Sequence, residues 1–166
     1  MPEQTPRFDP LGLLAVLDRH RVAYIVIGAF ARVIQGAEEL TRGVDIVPSP
    51  KPDNLERLNE ALAELGATSA DGGRVSLDPA ESDQPIELAT NRGELKVVRQ
   101  PAGTRGYEDL RRQATREPLG RGLRPAVASI NDLARMLAAL GRDQDRQKLR
   151  DLRRLAELEP TRGIEL

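Results

Sequence analysis

Few residues in this 166-residue chain have the types that chemistry needs. No cysteine is present, which excludes disulfide frameworks and thiolate-zinc centres, and the single histidine, His20, argues against a His-rich metal centre and against Ser-His or Cys-His catalysis. Carboxylates, amines and guanidiniums remain. Asp45 stands inside an apolar run, Val44-Asp45-Ile46, while Glu94 and Lys96 lie two apart on a second run of strand character and so share one face. Gly28 follows Tyr24-Ile25-Val26-Ile27 and opens a helical stretch, where a missing side chain lets phosphate approach backbone N–H groups and the positive helix end. Taken alone, Asp45 also reads as a strand-end or solvent-facing residue, Gly28 as a turn glycine, and His20 as a helix-end residue facing terminal carbonyls. A further cluster is Arg105, Arg111, Arg112, Arg116, Arg121 and Arg124, set against Glu108, Asp109 and Glu117. It reads as an RNA or phosphate surface, or as a solvated, salt-bridged helix face.

The elements that must position these residues follow from periodicity. Leu11, Leu14 and Leu17 mark a first helix, Tyr24 to Ile27 a buried strand, Ala29 to Gln35 a short helix closed by Gly36, and Val44 to Val47 a second strand. Asp53 to Leu65 is the clearest helix, with Leu55, Leu58, Leu62 and Leu65 on one face and Gly66 at its end. A short strand is expected at 74–77. Ile86 to Ala89 and Glu94 to Val98 read as a hairpin about Thr90-Asn91-Arg92-Gly93. Ser129 to Asp132 has the form of a capping box opening a helix to Leu140, and Asp143 to Leu158 forms a last helix. The fold class is α+β, a mixed sheet flanked by helices with a helical C-terminal part. Residues 1–9 are expected as a loose arm, 10–128 as the core and 129–160 as a helix pair packed on it.

Length suits one domain. Net charge is -1, divided unevenly: 11 basic against 16 acidic residues in 1–100, and 14 against 10 in 101–166. No apolar run approaches the ~20 residues of a membrane span, and MPEQTPRFDP lacks the order of a signal peptide. A soluble, cytoplasmic protein is the expectation, with no membrane partner.

Strand, Gly28, helix, Gly36 and then Thr41-Arg42-Gly43-Val44-Asp45-Ile46 resemble the nucleotidyltransferase superfamily, in particular its small bacterial toxin-type and abortive-infection-type members. The likeness continues in Gly93-Glu94-Leu95-Lys96, in Tyr107-Glu108-Asp109-Leu110 and in Leu137 to Asp145. It spans roughly residues 10–158. The resemblance implies a nucleotide-binding set of Gly28, Ala29, Arg42 and Lys96. It also implies paired strand carboxylates that hold Mg²⁺ against a nucleoside triphosphate for an in-line displacement.

This chain departs from the pattern where that chemistry is most exposed. Gly43 occupies the first carboxylate position, Lys96 the third, Ala29 the second glycine of the turn, and Leu137 the lysine expected to meet phosphate. Asp45 alone remains as the catalytic candidate. Asp45 with Glu94, or with Glu87, is the candidate metal pair, and Mg²⁺ is a cofactor only if the protein is active. The alternative to a metal is a pairing of Lys96 with Asp45. Three functions follow from different classes. The first is a degenerate nucleotidyltransferase-fold protein binding a nucleotide or protein partner without turnover. The second is an active Mg-dependent nucleotidyltransferase acting on RNA, protein or a small molecule. The third is an RNA-binding module using the Arg105–Arg124 stretch. Toxin or antitoxin roles are implied by the resemblance alone.

Overall fold

The structure, a computed structural model, describes residues 7–70, 72–73, 75, 77 and 84–158. Helix α1 (Pro10–Arg19) begins where the Asp9 side chain accepts a hydrogen bond from the Gly12 N–H at 3.0 Å. Phe8 packs edge-on against Phe30 with ring centroids 6.2 Å apart, and Arg92 Nη1 reaches Asp9 Oδ2 at 2.7 Å. Phe8 and Asp9, expected in a loose arm, are therefore anchored to the core.

Strand β1 (Tyr24–Ile27) is buried throughout and leads directly into α2 (Gly28–Ile34). Strand β2 (Gly43–Pro48) is followed by α3 (Pro52–Glu64), whose Leu55, Leu58 and Leu62 are wholly buried. Each such leucine contributes roughly 1.5–3 kcal/mol. A buried Asn54 at the start of α3 ties the two strands together. Its Nδ2 donates to the carbonyls of Ala23 and Ser49, each at 2.9 Å, and its Oδ1 accepts from the Ala23 N–H at 2.7 Å. The hairpin is β3 (Ile86–Thr90) and β4 (Gly93–Val97). The strand expected at 74–77 falls partly outside the described residues; Val75 and Leu77 are not in a strand.

Beyond the hairpin come α4 (Tyr107–Arg111), β5 (Thr115–Arg116) and β6 (Ala126–Val127). Helix α5 (Ile130–Leu140) opens with the Ser129 hydroxyl accepting from the Asp132 N–H at 3.0 Å. The chain leaves it through Gly141 in a left-handed conformation, φ 61°. The last helix is divided into a 3₁₀ turn (Asp143–Asp145) and α6 (Arg146–Glu157).

One mixed sheet unites the strands in the order β3-β4-β2-β1-β6-β5, with β4 parallel to β2, β1 parallel to β6, and the other neighbours antiparallel. Helices α1 and α3 pack on each other; α2 lies against β1 and β2 and meets α5, which carries α6. The side chains of Val44, Ile46, Leu95 and Val97 fill one face of the central strands. The intervening residues of β2 and β4 fall on the opposite face, the one that carries the polar groups.

Candidate nucleotide site

Register places the polar side chains. Asp45 on β2 is opposite Ile27 on β1 and opposite Lys96 on β4, and Lys96 is opposite Glu87 on β3. Directly opposed residues share a face, so Ile27, Asp45, Lys96 and Glu87 form one row across four strands. The next row holds Gly43, Glu94 and Ala89. Both glycines beside Asp45 are demanded by close approach. A Cβ at Gly43 would stand 2.7 Å from the Glu94 carbonyl oxygen and 2.9 Å from its Cβ. A Cβ at Gly28, which also has φ +71°, would land on the Asp45 carboxylate.

Two cavities meet at Asp45 and Lys96. One, about 450 Å³, runs beneath α5 between Gly28, Ala29, Arg32, Val98 and Pro101 on one side and Leu133, Met136, Leu137, Leu140 and Arg142 on the other. The second, about 500 Å³, lies over the β3–β4 hairpin and is bounded by Leu40 to Val44, Ser69, Glu87 and Glu94. Of the nucleotide-binding set, Gly28, Ala29 and Lys96 are brought together in the first cavity, while Arg42 lines the second. Glu94 also faces the second, so Asp45 and Glu94 share that cavity only. Arg32 and the apolar wall of α5 are additions to the set. Arg32 is buried on α2, its Nε and Nη2 donating to Glu39 at 2.6 and 3.0 Å, and Lys148 on α6 reaches Glu39 at 3.6 Å. Arg142 is held by a 2.6 Å bond from Nε to Asp145 Oδ2, joining the two charged residues of the Gly141-Arg142-x-x-Asp145 motif.

The pairing expected between Lys96 and Asp45 does not form as a contact. Among the described residues the carboxylate that Lys96 Nζ reaches is Glu87, at 4.0 Å. Asp45 is half-buried, and that burial pushes its carboxyl above the usual range; Lys96 and Arg32 oppose the rise through space, and Glu87 adds to it. His20 ends α1 as expected, but its Nε2 lies 2.9 Å from Glu64 Oε1 rather than on carbonyls. Arg19 and His20 together hold the Glu64 carboxyl down to about 2. Within the arginine stretch, Arg111 pairs with Glu108 at 2.6 Å and Arg116 donates to the Arg124 carbonyl at 3.2 Å. Asp109 is engaged by Arg135 at 3.1 Å. The stretch is broken into the five-residue α4, the two-residue β5 and a loop, so it does not present one continuous helix face.

No family model and no curated protein matches the chain. Solved structures do. The lincosamide antibiotic adenylyltransferase LnuA, solved with lincomycin bound, superposes with a TM-score of 0.60 at 14% identity over 90% of this chain and 99% of its own. TM1012 of Thermotoga maritima, assigned as a nucleotidyltransferase, gives 0.57 at 15% identity over 88% and 94%. The chain has the nucleotidyltransferase-superfamily fold. The antibiotic-resistance factor ANT(2'')-Ia is a more distant likeness, 0.50 at 13% identity, covering 74% of this chain and 64% of that one.

On a nucleotidyltransferase fold the question is whether these residues fit Mg²⁺, which takes near-octahedral oxygen ligation with carboxylates among its donors. They do not. Among the described residues no three carboxylates or histidines converge as a metal site, and Lys96 stands between Asp45 and Glu87, the two carboxylates of its row. Refitting the first carboxylate is also obstructed, because the β4 backbone occupies the space. Gly43→Asp is expected to lower stability by about 1–3 kcal/mol in thermal denaturation and to gain no extra stabilisation from Mg²⁺. Asp45 carries a sign of its own. A carboxyl whose pKa is raised on folding destabilises the fold when ionised, fully so above the raised value, and the cost vanishes as pH falls below the ordinary value of 3.8. Asp45→Asn should therefore raise Tm at pH 7, with the gain shrinking to nothing in strongly acidic buffer.

Proposed function

We propose that this nucleotidyltransferase-fold protein binds a nucleotide in the cavity beneath α5 and does not turn it over. The observation that carries the reading is the row Asp45–Lys96–Glu87 beside Gly43. An ammonium occupies the strand position where metal-dependent transfer needs a carboxylate, and the companion position has no room for one. The cavity itself suits a nucleotide. Leu133, Met136, Leu137 and Leu140 offer an apolar wall for a base, and Lys96, Arg32 and Arg142 add positive charge to the lining. LnuA is an adenylyltransferase of the same fold, which supports a nucleotide as the ligand.

An in-line transfer needs charge neutralised on the attacking and leaving oxygens, and in two-metal sites the metals do this. Lys96 can neutralise phosphate charge at one place, which serves binding. It cannot hold a metal between two phosphates, and Asp45 alone gives a divalent ion one anionic ligand. The arginine stretch supports the RNA reading less well, since Arg111 and Arg116 are already engaged within the protein.

The test is to incubate the purified chain with each α-labelled ribonucleoside triphosphate and Mg²⁺, with and without RNA or protein acceptors, while following thermal unfolding in parallel. The expected outcome is a rise in Tm with at least one nucleotide and no labelled product or released pyrophosphate above background. A ligand at ~100 times its Kd adds about 2.7 kcal/mol. Labelled product that disappears in Asp45→Asn would replace this reading with the active enzyme.

A further inference from the structure

We infer that the cavity beneath α5 selects its nucleoside polyphosphate free of divalent metal, and that Asp45 works against the ligand instead of recruiting a cation for it. The inference rests on the proposal that this cavity binds a nucleotide, and adds the charge state of the ligand and the sign of Asp45's effect.

The donors left over after the protein has satisfied itself carry the argument. Arg32 spends Nε and Nη2 on Glu39 and keeps Nη1. Arg142 spends Nε on Asp145 and keeps both terminal nitrogens. Among the described residues Lys96 has only Glu87 at 4.0 Å, a carboxylate whose side chain is 81% exposed and which cedes the ammonium readily to a stronger anion. Three cations with unspent N–H groups thus line one cavity. Two of them are fixed by their own carboxylate partners, so little order is lost when a ligand binds.

Polyphosphate oxygens are the natural acceptors for such a set, since guanidinium forks and an ammonium match them in charge and geometry. Magnesium on the same oxygens would withdraw them from the protein's cations. It would also bring a divalent charge against Lys96 and Arg32, and of the two carboxylates in the row, Asp45 and Glu87, only Asp45 lines this cavity. Asp45 lies in register between Ile27 and Lys96 and lines the same cavity. Ionised, it repels the phosphates. In a metal-dependent site the corresponding carboxylate has the opposite effect, because the cation it holds draws the phosphates in.

Isothermal titration of the full chain with ATP, GTP, CTP and UTP, each in EDTA and in excess Mg²⁺ at matched ionic strength, tests this. The nucleotide that binds best should bind about tenfold more tightly in EDTA than in Mg²⁺. Asp45→Asn should tighten binding in EDTA about tenfold, and Lys96→Gln should weaken it about tenfold. That is the scale of one unit-charge interaction across ~10 Å of partly screened protein. Lys96→Arg, which keeps the charge, should hold affinity near that of the unmodified chain, and a cooperative melt of each variant verifies folding. Binding that requires Mg²⁺ and is lost in Asp45→Asn overturns the inference while leaving nucleotide binding intact. Indifference to Lys96→Gln overturns it as well. Failure of all four nucleotides in both conditions overturns the underlying proposal too.

Discussion

The register of β2 against β4 is the constraint on which the site depends. Gly43 lies so close to the backbone of Glu94 that only hydrogen fits, and that closeness brings Asp45 level with Lys96 two residues further on. Slipping the pairing by one residue would send every side chain of β4 to the other face, exposing Leu95 and Val97 and burying Glu94 and Lys96. The hydrophobic face therefore enforces the charge pattern of the polar one. An ammonium between Asp45 and Glu87 follows from the same packing that keeps Val44, Ile46, Leu95 and Val97 buried.

From that row outward the site is built of cations with prior commitments. Glu39 holds Arg32 inside the protein and is itself backed by Lys148, so α2, the segment after it and α6 are joined by one ion-pair network at the edge of the cavity. Asp145, almost wholly buried at the start of α6, holds Arg142 in the same way. A buried charge that lost its partner would be costly, and these arrangements keep each guanidinium in one orientation. The C-terminal helices thus serve the cavity twice, through the apolar side chains of α5 and through Asp145, which holds Arg142, and Lys148, which backs the Glu39 that holds Arg32.

Much of the fold was legible because its elements are long or strongly patterned. Tyr24 to Ile27 is a β-branched run that could only be buried, Leu55, Leu58 and Leu62 mark one helix face, and Ser129 announces its helix through a cap. Gly43 and Lys96 stand out only against the pattern of motifs that the order of elements suggests. Other parts left no local trace. Helix α4 has five residues and β5 two, too short for any period to show. The Arg32–Glu39 bond joins a residue of α2 to one beyond its end, where no helical period applies. Lys96 turned to Glu87 instead of Asp45 because the antiparallel partner on β3 is more exposed and its carboxylate more accessible. Sequence shows which strands carry these groups, and only the sheet order shows which neighbour each one meets.

The central claim is that the protein's own cations replace a divalent metal at this row. A crystal of the protein soaked with Mn²⁺ and a non-hydrolysable nucleoside triphosphate, with data collected at a wavelength where manganese scatters anomalously, tests it most directly. The account predicts nucleotide density beneath α5, with phosphate oxygens on Lys96 and Arg142, and no anomalous peak in contact with Asp45. A manganese peak bound by Asp45 together with Glu94 or Glu87 would contradict it.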